Sequence, residues 1–427
     1  MGRSILVVGS GGREHALAWR LAESPSVERV ESAPGNPGTA ALGPCHVVDP
    51  TDPVAVAELA EHRRVDLVVV GPEAPLVAGL VDELDRRGIP AFGPTGAAAE
   101  IEGSKAFAKD VMTAAGVPTA GYVATQDRDE AQQALERFAP PYVVKADGLA
   151  AGKGVRICAT LVEARDAVDD ALVRGAYGEA GARVVIEEHL DGPERSVFGI
   201  CDGQDVVLLV PAQDYKRALD GDRGPNTGGM GAYTPVPGFG LDEVDDLRET
   251  VFRPVLREMA ARGTPYRGLL YAGLIDTGGP DADAVKLLEF NARFGDPETQ
   301  VILPRLASDL GDLLAASATG SVRGLTPRWH DEAVVTVVLA SGGYPGAYEK
   351  GKAITGVGRA EARDGVVVFH AGTARGEDGP LVTFGGRVLN VTASGPSVGD
   401  ARDLAYAAAE EIEFEGRQLR GDIAAGV

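Results

Sequence analysis

The chain has little cysteine and little histidine. Its 427 residues include three cysteines and six histidines. Cys45, Cys158 and Cys201 are odd in number, widely spread and in no C-x-x-C spacing, so neither a disulfide framework nor a zinc site is expected. The histidines form no H-x-x-H or H-E-x-x-H pair, which argues against a histidine-based metal site.

Long apolar runs are also missing. None reaches the roughly 20 residues needed to cross a bilayer. The N-terminus continues from Met1–Ser4 into the short run Ile5–Val8 and lacks the long apolar region and cleavage site of a signal peptide. That short run is more typical of a buried strand. We therefore expect a cytoplasmic protein with no membrane partner.

Positive charge is scarce. The chain has 41 Lys and Arg against 63 Asp and Glu, a formal net charge of −22. An acidic surface repels nucleic acids and anionic membranes, so nucleic acid is not an expected partner. The cations that bind any small phosphorylated substrate must then be few and local. For most of the carboxylates, the acidity serves solubility.

The pattern that remains is that of a multidomain α/β and α+β protein. A chain of 427 residues exceeds one ordinary domain. The buried strands at 5–8 and 66–71 end in glycine turns and are followed by helical stretches at 13–23 and 75–87. Uniformly apolar strands separated by helices predict a parallel, Rossmann-like sheet with helices on both faces. Ligands of such sheets bind beyond the carboxyl ends of the strands.

Beyond residue 105 the pattern changes to more frequent, often alternating strands. We predict domains at 1–105, 106–325 and 326–427, the last one a small α+β unit. Residues 212–240 contain no convincing element and are rich in Gly, Pro, Asn and Asp. A loop of this length within a compact domain is usually functional.

Glu289 and Asn291 are candidate metal ligands. Residues two apart on a strand face the same side, so Leu288 and Phe290 would enter a core while Glu289 and Asn291 face a cleft. Carboxylate and carboxamide oxygens suit Mg²⁺, which commonly takes one or two protein ligands. The same alternation also occurs in any half-exposed strand.

Arg293 follows directly, before a Gly-Asp-Pro turn. The guanidinium fork binds two oxygens of a carboxylate or phosphate together. The alternative is an exposed arginine on a surface loop.

A small-residue loop with two lysines lies earlier in the chain, between Lys145 and Gly154. Glycine amides and lysines suit a triphosphate, although the loop lacks the Walker A pattern and is as typical of a tight hairpin. Residues 184–194 form a strand and a possible hinge that suits an adenosine site. Glu187 and Glu188 point to opposite faces there, so at most one faces the ligand.

The first turn, residues 9–15, is similar to the dinucleotide fingerprint. The third glycine of G-x-G-x-x-G is replaced by Glu14, which argues against NAD and favours a simpler phosphate site with Arg13 at a helix N-terminus. A purely structural turn remains an alternative.

Taken together, these segments resemble the phosphoribosylamine–glycine ligase (glycinamide ribonucleotide synthetase) family of ATP-grasp enzymes. The run 289–300, Glu-Phe-Asn-Ala-Arg-Phe-Gly-Asp-Pro-Glu-Thr-Gln, is the most specific part of the resemblance. The segments 9–16, 35–39, 71–76, 213–217, 224–233 and 341–346 also match. The resemblance covers essentially the whole chain and implies a central ATP-grasp domain.

The resemblance implies that ATP phosphorylates glycine and that 5-phosphoribosylamine then attacks the glycyl phosphate, in de novo purine biosynthesis. It implies Mg²⁺ or Mn²⁺ on Glu289 and Asn291, with Arg293, Asp214 and Lys216 orienting glycine and the amine. The ATP-binding residues implied are Lys105, Lys145, Gly148, Lys153, Gly154, Glu187, Glu188, His189, Leu190 and Glu194. The substrate-binding residues implied are Gly11, Gly12, Arg13, Asn36, Pro37, Gly38, Glu73, Asn226, Gly229 and Arg293.

Two positions depart from the family pattern: Tyr215 stands where many relatives have His, and Ala424 where Gly is usual. We expect a monofunctional monomer. Other ATP-grasp ligases would share the ATP residues but not segments 293–300 and 226–233. Two alternative functions from other classes are an NAD-dependent oxidoreductase and a sensor that binds ATP without turnover.

Overall fold

The computed structural model describes residues 2–150, 154–278, 284–376 and 379–427. The N-terminal unit is a parallel sheet in the order β2-β1-β3-β4. Its central strand is entirely apolar and buried at Ile5–Val8, which confirms the predicted parallel sheet. The strands are β1 (Arg3–Gly9), β2 (Val27–Pro34), β3 (Leu67–Val70) and β4 (Ala91–Phe92); the helices are α1 (Gly12–Ala22), α2 (Pro53–Arg63), α3 (Glu73–Val77), α4 (Leu80–Arg87) and α5 (Gly96–Gly103), with a 3-10 turn at Thr39–Ala41.

One predicted helix of this unit is in fact two. The sequence pattern at 75–87 predicts a single helix, but α3 and α4 are separated at Gly79, whose φ is +84°. A left-handed residue cannot continue a right-handed helix, and glycine adopts that conformation readily.

The small lobe of the central unit has its own hydrophobic core. An antiparallel sheet in the order β5-β8-β6-β7 packs against two helices around Leu135, Val144 and Ile186. The elements are β5 (Tyr122–Thr125), α7 (Arg128–Ala134), a 3-10 turn (Leu135–Arg137), β6 (Tyr142–Ala146), β7 (Val155–Cys158), α8 (Leu161–Leu172), a 3-10 turn (Gly178–Gly181) and β8 (Val184–Glu188).

The large lobe is built on a second antiparallel sheet, in the order β10-β9-β15-β16. Its side chains share cores with the N-terminal unit; Leu270 packs in the same cluster as Val68, for example. The elements are α6 (Lys105–Ala114), β9 (Glu194–Asp202), β10 (Val206–Leu208), α9 (Leu241–Leu247), a π-helix (Arg248–Phe252), α10 (Arg253–Ala261), β15 (Arg267–Asp276), β16 (Val285–Asn291), α11 (Thr299–Arg305) and α12 (Leu310–Thr319).

The stretch 212–240 is not the elementless loop that the sequence predicts. It contains β11 (Gln213–Asp214), β12 (Arg217–Leu219), β13 (Arg223–Asn226) and β14 (Gly231–Thr234). These strands have two to four residues, too few for a local pattern. β14 is stabilised by antiparallel pairing with β17, about one hundred residues further along the chain.

This pairing joins the stretch to the sheet of the C-terminal unit, whose order is β11-β14-β17-β21-β18. The sheet thus contains strands from both sides of residue 326. The remaining elements are β17 (Ala333–Ala340), α13 (Val357–Glu361), β18 (Val366–His370), β19 (Thr373–Arg375), β20 (Leu381–Thr383), β21 (Arg387–Gly395) and α14 (Val398–Ala409). None of the described helices is long and apolar enough to span a membrane.

A buried histidine pair joins the N-terminal and C-terminal units. His15 of α1 accepts a 2.8 Å hydrogen bond at Nδ1 from the backbone amide of His370. Burial and the nearby His370 lower the pKa of His15 to about 3. Burial also lowers the pKa of His370 to about 4. Both rings are therefore neutral in the folded protein near pH 7.

We expect this contact to make the protein sensitive to acid. An unfolded histidine takes up a proton near pH 6.5, whereas folded His15 stays neutral to about pH 3. Between these values the unfolded state binds more protons, so the free energy of unfolding falls as pH falls, by about 1.4 kcal/mol per pH unit for one such group. His15→Gln keeps an acceptor for the His370 amide and should reduce this slope in urea unfolding at pH 6.5, 5.5 and 4.5. His62→Gln, at an exposed position of α2, is the matched control and should retain the full slope.

Candidate active site

A cavity of about 500 Å³ lies where the three units meet. It opens at the carboxyl ends of the N-terminal strands, where the sequence places ligand binding. Twelve of the sequence-predicted site residues line it: Arg13, Glu73, Lys105, Lys145, Gly154, Glu187, Asp214, Lys216, Asn226, Glu289, Asn291 and Arg293.

Glu289 and Asn291 both lie on β16 and line the cavity. The prediction that Leu288 enters the core is wrong, because Leu288 also lines the cavity and Leu287 takes the core position. The register explains this: Gly273 pairs with Glu289 and Leu274 with Leu287, so Leu288 is the extra residue of a bulge. Phe290 is buried, as predicted.

The charge around Glu289 keeps it ionised. Burial favours the neutral acid, but Lys216, Lys145 and Lys105 outweigh burial and lower the pKa of Glu289. Among the described residues, no side chain or amide donates a hydrogen bond to its carboxylate. The cavity therefore presents a charged oxygen ligand beside several cations.

Glu187 faces the cavity and forms ion pairs with two lysines. Its Oε2 lies 3.0 Å from Lys145 Nζ and 3.1 Å from Lys109 Nζ. Its other oxygen, Oε1, is buried and has no hydrogen-bond partner among the described residues. Glu188 points the other way, towards Lys286 at 3.2 Å. Glu187 and Glu188 therefore point to opposite faces of β8, as predicted.

Lys109 is a cavity residue that the sequence reasoning missed. It lies one helical turn after Lys105 on α6, and that i, i+4 spacing was the available signal. Burial lowers the pKa of Lys109 to about 8. Burial likewise opposes the charge on Lys145, but Glu187 and Glu289 raise the pKa of that lysine overall. Lys105 donates a 3.2 Å hydrogen bond to the Gly148 carbonyl.

Asp214 and Lys216 line the same cavity as Glu289 of β16. Lys216 Nζ is 3.6 Å from Asp214 Oδ1 and also forms an ion pair with Glu194. Glu194, expected to bind ATP, thus contacts a lysine that is expected to orient glycine and the amine. Burial, together with Glu298 and Glu194, raises the pKa of Asp214 against the opposing effect of Lys216.

Arg293 is held by three oxygen-bearing side chains. Its Nη2 lies 3.0 Å from Glu102 Oε1 and 3.2 Å from Asn291 Oδ1, and its Nε lies 3.3 Å from Glu73 Oε2. Burial opposes ionisation of Glu73, but Arg293 and Arg13 lower its pKa to about 2. Sequence reasoning missed Glu102, which nothing in its local helical pattern distinguishes.

The N-terminal turn borders a second cleft of about 630 Å³, lined by Gly11, Asn36 and Pro37. Asp296, Tyr344 and Arg387 line both cavities and so mark where they meet. Arg13 is engaged with Glu14 and donates to the Phe294 carbonyl at 3.1 Å. The guanidinium expected to hold a phosphate is therefore already partly occupied by protein groups.

Several predicted glycines have packing roles instead of lining either cavity. A Cβ on Gly12 would meet Asn390 Nδ2 at 2.3 Å, one on Gly38 the His15 ring at 2.2 Å, and one on Gly229 Pro297 Cδ at 2.4 Å. A Cβ on Gly148 would meet Ala180 Cα at 2.8 Å. His189 and Leu190 lie in the link between β8 and β9, outside the residues that line the two cavities. Lys153 lies outside the described residues.

Family models match nearly the whole chain in three consecutive parts. Residues 3–102, 103–299 and 334–426 match the N domain, the ATP-grasp (A) domain and the C domain of phosphoribosylglycinamide synthetase. The chain belongs to this family. The family match also confirms the expected ATP-grasp architecture.

Individual proteins agree with the family match. A phosphoribosylamine–glycine ligase from Streptomyces coelicolor is 53% identical over 425 residues, covering 99% of this chain and 98% of that protein. The crystal structure of a phosphoribosylamine–glycine ligase from Thermotoga maritima is 36% identical, with a TM-score of 0.83 over 99% of this chain and 100% of that chain. A biotin carboxylase domain from Hydrogenobacter thermophilus, solved with MgADP and bicarbonate, has a TM-score of 0.72 at 18% identity over 98% of this chain and 92% of that chain, and so shares the fold.

Proposed function

We propose that this chain joins glycine to 5-phosphoribosylamine at the expense of ATP, giving glycinamide ribonucleotide, ADP and phosphate in de novo purine biosynthesis. The observation that carries the proposal is the full-length similarity to phosphoribosylamine–glycine ligases. The cavity suits this chemistry because it places carboxylate, amide and lysine side chains around one space.

ATP is the phosphoryl donor, and its triphosphate would lie among Lys105, Lys109 and Lys145. The unpartnered Oε1 of Glu187 is an acceptor suited to the adenine amino group. Glu289 and Asn291 fit a hard divalent cation, because both present oxygen atoms and Glu289 is ionised. Mg²⁺ or Mn²⁺ held there would neutralise charge on the phosphate oxygens.

The reaction would proceed in two displacements. A glycine carboxylate oxygen attacks the γ-phosphorus, and ADP leaves. The amine of 5-phosphoribosylamine then attacks the glycyl carbonyl carbon, the carbon–oxygen bond to phosphate breaks, and the amine loses a proton. Asp214, Lys216 and Arg293 would orient the reactants, and positioning of this kind supplies much of the rate.

The sugar phosphate would bind at the N-terminal side of the cavity. Gly11, Asn36 and Pro37 border the second cleft there, which meets the first at Asp296 and Arg387. Glu73, Asn226 and Arg13, which line the first cavity, remain part of the proposed substrate site. We extend the proposal to a cytoplasmic location and a monomeric state. Light scattering of the purified chain tests the monomeric state.

A substrate screen tests the proposed reaction. Sustained ADP release should require glycine and 5-phosphoribosylamine together with the divalent cation, because the amine must consume the glycyl phosphate before the next turnover. Bicarbonate and formate, the acids used by other ATP-grasp enzymes, serve as negative controls. Neither should stimulate ADP release in place of glycine. Stimulation by bicarbonate but not by glycine would contradict the proposal, and ATP binding without turnover under all conditions would favour a sensor.

A further inference from the structure

The segment that carries Asp214 and Lys216 has a second face, away from the cavity. Asp214 and Lys216 line the cavity, whereas Tyr215, between them, packs against the core of the C-terminal unit. Residues 420–424, here named the C-terminal clasp, lie on this second face. None of the clasp residues is among those lining the cavity in the described parts of the chain.

Arg420 is the centre of the clasp. It is only 1% exposed, and its fork binds Asp422 at 2.7 Å through both Nε and Nη2. Its Nη1 donates to the Arg217 carbonyl at 3.1 Å and to Asp222 Oδ1 at 2.8 Å. Its guanidinium carbon lies 4.9 Å from the centre of the Tyr215 ring. Arg420 thus contacts the residue before Lys216 and the residue after it.

The other clasp residues reinforce these contacts. The Ala424 amide donates to the Tyr215 hydroxyl at 2.9 Å. The Gly421 amide donates to Asp220 Oδ1 at 2.8 Å, and the Gly221 amide donates to Asp422 Oδ2 at 2.7 Å. Tyr215 and Ala424 are therefore direct partners.

The segment that carries Asp214 and Lys216 needs the contacts of the C-terminal clasp, because the chain beyond it has few other partners. Beyond Lys216 the chain forms the hairpin β12–β13, which is a two-stranded sheet of its own. An isolated two-stranded hairpin is marginally stable in water. The clasp bonds to the turn of this hairpin at Asp220, Gly221 and Asp222, and so fixes it to the C-terminal unit.

We propose that the C-terminal clasp positions Lys216 and Asp214 for the acceptor half of the reaction, with Arg420 as the positioning residue. This inference rests on the proposed function for its kinetic consequence. The clasp acts through the backbone at Arg217 and the ring of Tyr215. Its contacts in the described part of the chain include neither the lysines proposed for ATP nor the proposed metal ligands. Its loss should therefore affect glycine and the amine selectively.

Arg420→Lys tests this directly, because lysine keeps the charge but loses the two-oxygen fork. A displacement of about 1 Å at a reacting group costs on the order of 100-fold. We expect kcat/KM for glycine to fall by about tenfold to a hundredfold on this basis, and Kd for ATP to change by less than about twofold. Tyr215→Phe loses only the bond to Ala424 and should show a smaller change in the same direction, which keeps the test valid if Arg420→Lys folds poorly.

Arg417→Lys is the matched control. Arg417 donates to the carbonyls of Ala409, at 2.6 Å, and Ile412 within the C-terminal unit, and its described contacts do not include the hairpin. Amide hydrogen exchange of residues 215–226 should rise in Arg420→Lys and not in Arg417→Lys, and this readout does not depend on the substrates. Faster exchange with unchanged glycine kinetics would overturn the positioning role, as would equal losses of ATP and glycine binding. Absence of glycine turnover in the unaltered enzyme would instead defeat the proposed function.

Discussion

Replacing Glu289 by alanine is expected to abolish turnover while the fold survives. The side chain lines the cavity among the cations Lys216, Lys145 and Lys105, which keep it ionised. Its loss removes the charged ligand proposed for the divalent cation. Metal stabilisation of a transferring phosphoryl group supplies several kcal/mol, so kcat should fall by about 10³-fold or more.

The measurement is a steady-state assay over a range of Mg²⁺ concentrations, with urea unfolding to establish the folded state. Glu289→Gln keeps the shape and one oxygen ligand, and it should regain part of the activity at high Mg²⁺. Glu163→Ala is the control, since Glu163 is an exposed carboxylate that accepts from the Ala159 amide and is not among the residues that line the cavity. Full activity of Glu289→Ala would remove the metal assignment.

Arg293→Lys is expected to impair the enzyme nearly as strongly. Two nitrogens of Arg293, Nη2 and Nε, contact Glu102, Asn291 and Glu73 at once. An ammonium group on a flexible stem cannot reproduce that planar arrangement. Asn291 is itself a proposed metal ligand, so its orientation would change as well. We expect kcat/KM to fall by about a hundredfold, the scale of a misplaced reacting group.

The fold of Arg293→Lys should persist because a positive charge remains between Glu73 and Glu102. Arg293→Met, in contrast, removes the cation between Glu73 and the buried carboxylate of Glu102. This loss should lower the free energy of unfolding by about 3 to 5 kcal/mol. Arg305→Lys serves as the control, since Arg305 bonds Thr234 and the His330 carbonyl away from the cavity. Wild-type kinetics in Arg293→Lys would show that charge alone suffices at this position.

The parts of the site that the sequence predicted are those carried by short, regular patterns. The two-residue alternation of a strand is visible in the sequence at Glu289 and Asn291 and again at 184–188. The structure places Glu289, Asn291 and Glu187 in one cavity. The position of Leu288 could not be predicted, because a bulge depends on the pairing of β15 with β16. A local pattern carries no information about that pairing.

Apart from Lys109, the missed residues depend on contacts between distant segments. Glu102 reaches Arg293, and Arg387 reaches Asp296 at 3.2 Å, over about 190 and 90 positions of the chain. The four short strands at 212–240 form only because partners such as β17 are present. Hydrophobic periodicity reports which residues are buried, but it does not report which segments meet.

The pairing of β14 with β17 also bears on how the protein is made. β14 leaves the ribosome about one hundred residues before β17, and the hairpin leaves about two hundred residues before Arg420. Synthesis adds about 5 to 20 residues per second, so Arg420 is made roughly 10 to 40 seconds after the segment that carries Asp214 and Lys216. The nucleotide side of the cavity, from Lys105 to Asn291, is synthesised earlier than those partners. In the growing chain, the residues proposed for the nucleotide side are therefore all present before the partners that hold the segment of Asp214 and Lys216.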